Sequence, residues 1–166
     1  MKIKVGIIGG AGYTGGELIR LLINHPAAEL SFIHSRSNAG KPVYTVHQDL
    51  FGDTELKFTG ELSNEVDVLF LCLGHGESKK FLAENVIDEK IKVIDLANDF
   101  RLVNSSTIGN RKFIYGLPEL NKAEIKKANN IANPGDSFCI LGIATIGYTY
   151  NNILMFHVCN CLTKTG

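Results

Sequence analysis

A glycine-rich stretch near the start of the chain limits its possible folds more than any other feature. Residues Lys4 to Gly16 read KVGIIGGAGYTGG, a short β-branched run that breaks into glycines before apolar residues resume at helical spacing. This order predicts a strand, a tight turn and a helix. Gly10, Gly12 and Gly15 fit G-x-G-x-x-G, whose missing side chains let backbone N–H groups and a helix N-terminus approach a dinucleotide pyrophosphate. The stretch therefore predicts the first βα unit of a Rossmann-type sheet.

The helix that follows the glycines is predicted from about Thr14 to Asn24. Thr14 is its expected N-cap, with Glu17 three residues later at capping-box spacing. Tyr13 and Thr14 stand at the expected helix N-terminus and join the three glycines as predicted pyrophosphate contacts. The alternative is that the glycines only allow the helix to pack on the strand.

The residues after the second predicted strand, Glu29 to His34, indicate which dinucleotide is bound. About 20 residues after the last glycine, an NAD enzyme places Asp or Glu to hold the ribose 2′-hydroxyl. This chain has Ser35, Arg36 and Ser37 at that point. A guanidinium and two hydroxyls can bind a 2′-phosphate, so the sequence predicts NADP(H). The alternative is that Arg36 is a solvated loop charge.

A third candidate segment follows the apolar run Val66 to Leu73, which is typical of a parallel strand buried on both faces. Gly74, His75 and Gly76 come directly after it, at the edge of the sheet where α/β folds bind ligands. They are predicted to contact the cofactor on its nicotinamide side. The alternative is that His75 caps the next helix, predicted from Glu77 to Asn85.

Another pair of charges follows the predicted strand Lys92 to Leu96. Arg101 is a candidate for binding a substrate phosphate, whereas the alternative is a surface ion pair between Asp99 and Arg101. Further on, Asn121 is the expected cap of a helix to Ala128. The segment Asn130 to Ala132 is the last predicted strand.

The alternation of strands and helices predicts an α/β fold, a Rossmann-type doubly wound parallel sheet. The polar segment from Ser37 to Thr54 interrupts this alternation, and no direct chemistry is predicted for it. The chain has 166 residues, which is the size of one domain.

Composition excludes several classes of protein. Lys+Arg and Asp+Glu both number 17, so the net charge of zero argues against a nucleic-acid partner. A membrane span and a signal peptide are not predicted, which makes the cytoplasm the expected location. Four cysteines lack a C-x-x-C pair, and Cys72 lies inside an apolar run, which argues against a disulfide framework. Cys159, Cys161 and His157 could be interpreted as metal ligands, but their spacing is not that of a zinc site, so no metal is predicted.

Six segments occur in an order that points to one family. They read GIIGGAGYTGGEL, SRSNAGK, FLCLGHGES, VIDLANDFRL, YGLPEL and ANPG. Together they resemble N-acetyl-γ-glutamyl-phosphate reductases over the range Lys4 to Gly135. The resemblance implies NADPH-dependent reduction of an acyl phosphate, N-acetyl-glutamyl 5-phosphate, to its semialdehyde in arginine biosynthesis. Aspartate-semialdehyde dehydrogenase is a rival with the same chemistry, but GYTGGEL and DFRL match the reductases better.

The position of the family's nucleophile differs in this chain. The resemblance implies a cysteine after Asn-Pro-Gly that attacks the acyl phosphate and forms a thioester. Here Asp136 follows Gly135, and an acyl anhydride formed on its carboxylate would be as activated as the substrate. Cys139, three residues further on, is the remaining candidate nucleophile.

The domain prediction follows from this departure. Residues 1–135 form an NADP-binding domain and 136–166 an atypical tail, with the family's second, substrate and dimerisation domain missing or rudimentary. The chain is interpreted as an inactive, truncated or frame-shifted reductase, or as a stand-alone NADP(H)-binding or interaction module without catalysis. The apolar run Ile140 to Ile146 is expected to favour aggregation or a homo-oligomer.

Overall fold

A seven-stranded parallel sheet is the centre of the computed structural model. The structure describes residues 2–134 in full and residues 141–145 and 156–160 by their backbone. Its strands are β1 (Ile3–Ile8), β2 (Ala28–His34), β3 (Phe58–Thr59), β4 (Val68–Leu71), β5 (Lys92–Asp95), β8 (Ile114–Tyr115) and β9 (Asn130–Ala132). The sheet has the order β3-β2-β1-β4-β5-β9-β8, and each neighbouring pair is parallel.

The remaining elements connect or flank these strands. The helices are α1 (Tyr13–Ile23), α2 (Glu77–Glu84) and α3 (Pro118–Ile125). Two antiparallel pairs stand outside the main sheet, one formed by β6 (Thr107–Ile108) and β7 (Arg111–Lys112), the other by β10 (Leu141–Thr145) and β11 (Phe156–Asn160). Short 3₁₀ turns occur at Arg36–Asn38, Val43–Thr45, Gln48–Leu50 and Val103–Ser105.

The sheet is covered on both faces because successive side chains of its central strands enter different cores. In β4, Val68 and Phe70 pack in the core that includes Leu18 and Ile19 of α1. The intervening Leu69 and Leu71 pack in a second core with side chains of α2 and the later loops. This alternation is the period of a β-strand, and it explains why the whole run is apolar. The predicted doubly wound α/β sheet is confirmed.

Helix α1 begins one residue earlier than predicted, and Thr14 is not its cap. Gly12 occupies the N-cap position in extended backbone, and no side chain caps the helix there. The glycine turn leads directly into the helix, so Tyr13 and Thr14 both lie in its first turn. Because the first N–H groups of a helix have no acceptor within the helix, this arrangement leaves donors at an exposed N-terminus.

Helix α3 also differs from the prediction. It begins at Pro118, whose fixed φ suits the first turn of a helix, and its N-cap is Leu117. Asn121 is not a cap. It lies inside the helix with non-helical angles (φ −123°, ψ 21°), and its Nδ2 donates to the carbonyl oxygen of Tyr115 at 2.9 Å.

The polar segment after β2, residues 37–54, forms hydrogen bonds with the glycine turn and with α1. Nε2 of the buried His47 donates to the carbonyl oxygen of Gly10 at 2.8 Å. Arg20 of α1 binds the carboxylate of Asp49 in a fork with distances of 2.5 and 2.7 Å. The guanidinium lowers the pKa of Asp49 to about 2. This segment therefore supports the turn, a role that no local sequence pattern predicts.

Candidate functional site

Three predicted cofactor segments lie side by side at one edge of the sheet. They follow β1, β2 and β4, which are neighbours in the sheet, and parallel strands present their carboxyl ends at the same edge. The segments are Gly9–Thr14, Ser35–Ser37 and Gly74–Gly76. The sheet order therefore brings together residues that are far apart in sequence, such as Gly9 and Gly76.

The glycine turn after β1 is held by the end of β2. The carbonyl oxygen of His34 accepts hydrogen bonds from the N–H groups of Gly9 and Gly10, at 3.1 and 3.0 Å. Gly15 allows α1 to lie against this turn, since a Cβ there would stand 2.6 Å from the carbonyl oxygen of Gly9. Gly12 is exposed at the helix N-terminus. The turn thus has the geometry that lets an anionic group approach backbone N–H donors.

A cleft of about 350 Å³ opens beside the turn. One wall is the segment that follows β2, and the other is helix α2. The cleft is lined by Ile8, Gly9, His34, Ser35, Arg36, Ser37, Leu73, Glu77, Lys80, Phe81 and Glu84. Because it begins at the glycine turn and ends at a guanidinium and two serines, it fits the adenosine half of a dinucleotide with a 2′-phosphate.

The segment Ser35–Ser37 is ordered by its neighbours. Ser35 is buried, and its N–H donates to the carbonyl oxygen of Thr59 at 2.9 Å. The side-chain amide of Asn38 lies 3.4 Å from Oγ of Ser35 and 3.2 Å from Oγ of Ser37. Arg36 is exposed between the two serines. Burial lowers the pKa of the adjacent His34, and the Arg36 charge lowers it further.

The segment Gly74–Gly76 is exposed at the N-terminus of α2, and His75 is not the cap of that helix. Gly76 is the N-cap, with a φ of 81° that favours glycine. The cap is supplied from the loop after β5, where the buried carboxylate of Asp99 accepts from the N–H groups of Gly76 (2.6 Å) and Lys79 (3.1 Å). The alternative in which Asp99 belongs to a surface pair is therefore wrong as well.

Arg101 is engaged with the backbone at the same edge. Its Nε donates to the carbonyl oxygen of Asn133 at 3.0 Å, and its Nη2 to that of Leu96 at 3.3 Å. The N–H of Asn133 in turn donates to the carbonyl oxygen of Asp95 at 2.8 Å. The described bonds give Arg101 a structural role beside the segment that leads to Gly135, and its role toward a substrate phosphate stays a prediction.

Cys72 lies under the site without contributing a nucleophile. Its thiol is buried at the end of the β4 region, and burial raises its pKa, so that the unreactive neutral form is favoured. The candidates Asp136 and Cys139, the apolar run from Ile140, and Cys161 lie outside the residues whose side chains are described. The same holds for the side chains of His157 and Cys159.

Two groups of site residues were missed from the sequence. Lys80 and its neighbours line the cleft through an i, i+3, i+4, i+7 pattern at Glu77, Lys80, Phe81 and Glu84, a spacing that can be read from the sequence. His47 had no such signal, because its partner is a backbone carbonyl 37 residues away.

Within the described part of the chain, no cluster of three or more His, Cys, Asp or Glu side chains could hold a metal ion. The helices described there are also too short or too polar to cross a membrane.

The fold and site place the chain in a known class. Residues 4–128 match the family model described as "Semialdehyde dehydrogenase, NAD binding domain", and the chain belongs to this family. Solved structures of aspartate-semialdehyde dehydrogenases share the fold at low identity. The Candida albicans enzyme, solved with NADP, is 22% identical with a TM-score of 0.53, covering 76% of this chain and 36% of its own. Enzyme II of Vibrio cholerae is 21% identical with a TM-score of 0.54, covering 81% and 38%.

Curated relatives give a more specific similarity. N-acetyl-γ-glutamyl-phosphate reductases of Christiangramia forsetii and Flavobacterium johnsoniae are each 52% identical over 152 residues, 92% of this chain. That of Parabacteroides distasonis is 54% identical over 134 residues, 80% of this chain. The chain spans about half the length of these relatives, 46%, 47% and 40% respectively. The resemblance found in the sequence is thereby confirmed, and the longer matches extend past Gly135.

Proposed function

We propose that this chain is the NADP(H)-binding half of an N-acetyl-γ-glutamyl-phosphate reductase. The observation that carries the proposal is the cleft in which Ser35, Arg36 and Ser37 stand next to the glycine turn. A guanidinium flanked by hydroxyls suits a phosphate, whereas an NAD site would place a carboxylate there. Relatives that are 52% identical to this chain are named as N-acetyl-γ-glutamyl-phosphate reductases, whereas the aspartate-semialdehyde dehydrogenase of Candida albicans is 22% identical. The difference in sequence identity supports the reductase.

Each part of the site has its own task in binding. The turn residues Gly10 and Gly12 and the N-terminus of α1, with Tyr13, Thr14 and Gly15, would hold the pyrophosphate. Ser35 and Arg36 would bind the 2′-phosphate. When bound, NADPH supplies the hydride.

The nicotinamide side of the site would be formed by Gly74, His75 and Gly76. These residues are exposed, and the cap from Asp99 fixes where their helix begins. Their backbone can thus orient the cofactor toward the two loops, after β5 and after β9, that carry Arg101 and Asn133. Since Asn133 is three residues before Asp136 in the sequence, the arrangement supports an acyl-phosphate substrate at this end of the site.

Catalysis is proposed for the reductase as a whole. Asp136 stands where the family's cysteine is implied, and Cys139 is the candidate nucleophile of this chain. A binding module without catalysis is the second candidate function, favoured by Asp136 at the position where the resemblance implies a cysteine. A cytoplasmic location and a homo-oligomer are further predictions.

Direct binding tests the cofactor proposal. The fluorescence of NADPH and NADH is titrated with the 166-residue chain and with its Arg36→Ala variant. We expect the wild-type chain to prefer NADPH, and the variant to lose about tenfold or more of that preference through the missing charge-assisted bonds. If the preference for NADPH is the same in the variant, Arg36 does not read the 2′-phosphate.

Turnover separates the two candidate functions. The reverse reaction is followed as NADPH formation from NADP⁺, phosphate and N-acetylglutamate semialdehyde. We expect tight NADPH binding without turnover by this chain alone, because Asp136 is a poor replacement for a thiolate. Turnover that disappears in Cys139→Ser would instead show a working enzyme.

A further inference from the structure

The second wall of the cleft carries a cation that faces the Ser35–Ser37 segment. Helix α2 turns one face to the cleft, with Glu77, Lys80, Phe81 and Glu84 at successive helical positions on that face. Phe81 is buried and forms part of the apolar floor, which sets the rotation of the helix. Since Phe81 is fixed, the neighbouring Lys80 is held on the cleft side.

Lys80 is available to bind a ligand. In the fully described part of the chain, residues 2–134, both ion pairs are made by Arg20, with Glu17 and Asp49. The side chain of Lys80 is exposed. It stands one helical turn after Glu77 and one before Glu84, and neither carboxylate forms a described ion pair with it.

The mixture of charges in the cleft narrows the class of ligand. Arg36 and Lys80 suit a phosphate, while Glu77 and Glu84 accept hydrogen bonds from neutral donors such as hydroxyl and amino groups. Adenosine with a 2′-phosphate offers both kinds of group. A simple polyanion would meet two carboxylates and is disfavoured.

We propose that Lys80 is a specificity-determining residue for NADP(H), a second cation that binds the 2′-phosphate from the wall opposite Arg36. This inference rests on the proposed cofactor function, and it adds a residue of α2 to the segment after β2. The 2′-phosphate is then held between two separate elements. Its binding to Lys80 draws α2 and the Ser35–Ser37 segment toward the same ligand.

The test uses two nucleotides that differ only in the phosphate. Adenosine 2′,5′-bisphosphate and adenosine 5′-monophosphate are titrated calorimetrically into the 166-residue chain and its Lys80→Met variant, which keeps an unbranched apolar stem. We expect the variant to bind the bisphosphate about three- to tenfold more weakly, as for one charge-assisted bond at a screened site. Binding of the monophosphate should change by less than about twofold, since it has no 2′-phosphate.

Two control variants accompany the test. Lys80→Arg keeps the cation and should restore the preference for the bisphosphate. Lys90→Met removes an exposed charge next to the start of β5, at the opposite edge of the sheet, and should change neither affinity. If Lys80→Met weakens the binding of both nucleotides equally, or weakens neither, the proposed role of Lys80 is wrong and the proposed cofactor function still stands. A wild-type chain that binds neither nucleotide would overturn the proposed function and this inference with it.

Discussion

At the scale of single residues, Asp95 is a buried carboxyl that the fold satisfies only in part. It ends β5 with no exposed surface, and its Oδ1 accepts from the N–H of Ala97 at 3.3 Å. Within the described residues its Oδ2 makes no aligned hydrogen bond. Burial raises the pKa of Asp95, and the nearby Ser78 hydroxyl and Ala97 N–H offset the rise only in part. The charged form therefore lowers the free energy of unfolding.

Replacing Asp95 with Asn should stabilise the protein at high pH. Because the pKa of Asp95 is higher in the folded chain, the stability due to its neutral form is complete below the unfolded value, about pH 4, and is lost as pH rises through the folded value. We expect Asp95→Asn to raise Tm by about 2–5 °C at pH 8 and to leave it unchanged near pH 4. Thermal unfolding followed by circular dichroism at both pH values measures the difference.

The exposed Asp53 provides a matched substitution for this experiment. Asp53→Asn should alter Tm little at either pH, because its carboxyl is in water in the folded and unfolded chain. A wild-type protein more stable than Asp95→Asn at pH 8 would contradict the account of the buried charge.

Some single residues of the site could be predicted and others could not. Arg36 was found because its distance from the glycines is fixed by the length of one helix and one strand. Lys80 was not predicted, because the spacing of Glu77, Lys80, Phe81 and Glu84 shows that they share one face of α2 but not that this face borders the cleft. His47 could not be found, since its partner is a backbone atom brought close only by the fold.

At the scale of elements, α2 depends on a cap from elsewhere in the chain. Asp99 is 23 residues beyond Gly76 in the sequence. Its carboxylate accepts hydrogen bonds from the N–H groups of Gly76 and Lys79. The carboxylate accepts from two of the N–H groups that have no partner within a helix, and its negative charge interacts favourably with the positive end of the helix dipole. Strand β5 and helix α2 are thereby joined at the carboxyl edge of the sheet.

Removal of this cap should destabilise the protein. We expect Asp99→Ala to lower the free energy of unfolding by about 1–2 kcal/mol, the usual cost of losing an N-cap. Urea unfolding of the two proteins gives the difference. Asp88→Ala is the comparison, because Asp88 accepts one backbone N–H, from Lys90, in an exposed loop. Equal losses in the two variants would mean that Asp99 acts only as a local turn residue.

Sequence reasoning found the elements better than their ends. The strand β4 was predicted because a strand buried on both faces needs a continuous apolar run, and β1, β2, β5 and β9 were predicted from shorter apolar segments. The caps at Thr14 and Asn121 were wrong for two different reasons. A glycine turn can enter a helix without a side-chain cap, and Pro118 had already begun α3 before Asn121.

At the scale of the whole molecule, both described cores lie in the first 132 residues of the chain. The buried side chains of both cores lie between Val5 and Ala132. All three cofactor segments and the cleft fall within the same range. These residues therefore contain a core on each face of the sheet and the whole of the proposed dinucleotide site.

A chain that stops after Gly135 should accordingly fold and bind NADPH. We expect its Kd for NADPH to be within about twofold of that of the full chain, and its Tm within a few degrees, since a domain of this size can bury its own core. Fluorescence titration and thermal unfolding of both chains are the measurements. Loss of binding or a broad, non-cooperative transition in the shorter chain would show that later residues complete the domain.

The loop after β5 joins two parts of the candidate site, the start of α2 and the segment after β9. Its Asp99 holds the first residues of α2, and Arg101, two positions later, holds the carbonyl oxygen of Asn133. The same short loop thus sets the spacing between the start of α2 and the segment at Asn133. An insertion or deletion between Asp99 and Arg101 would shift one contact relative to the other, so this loop has little freedom to change in length.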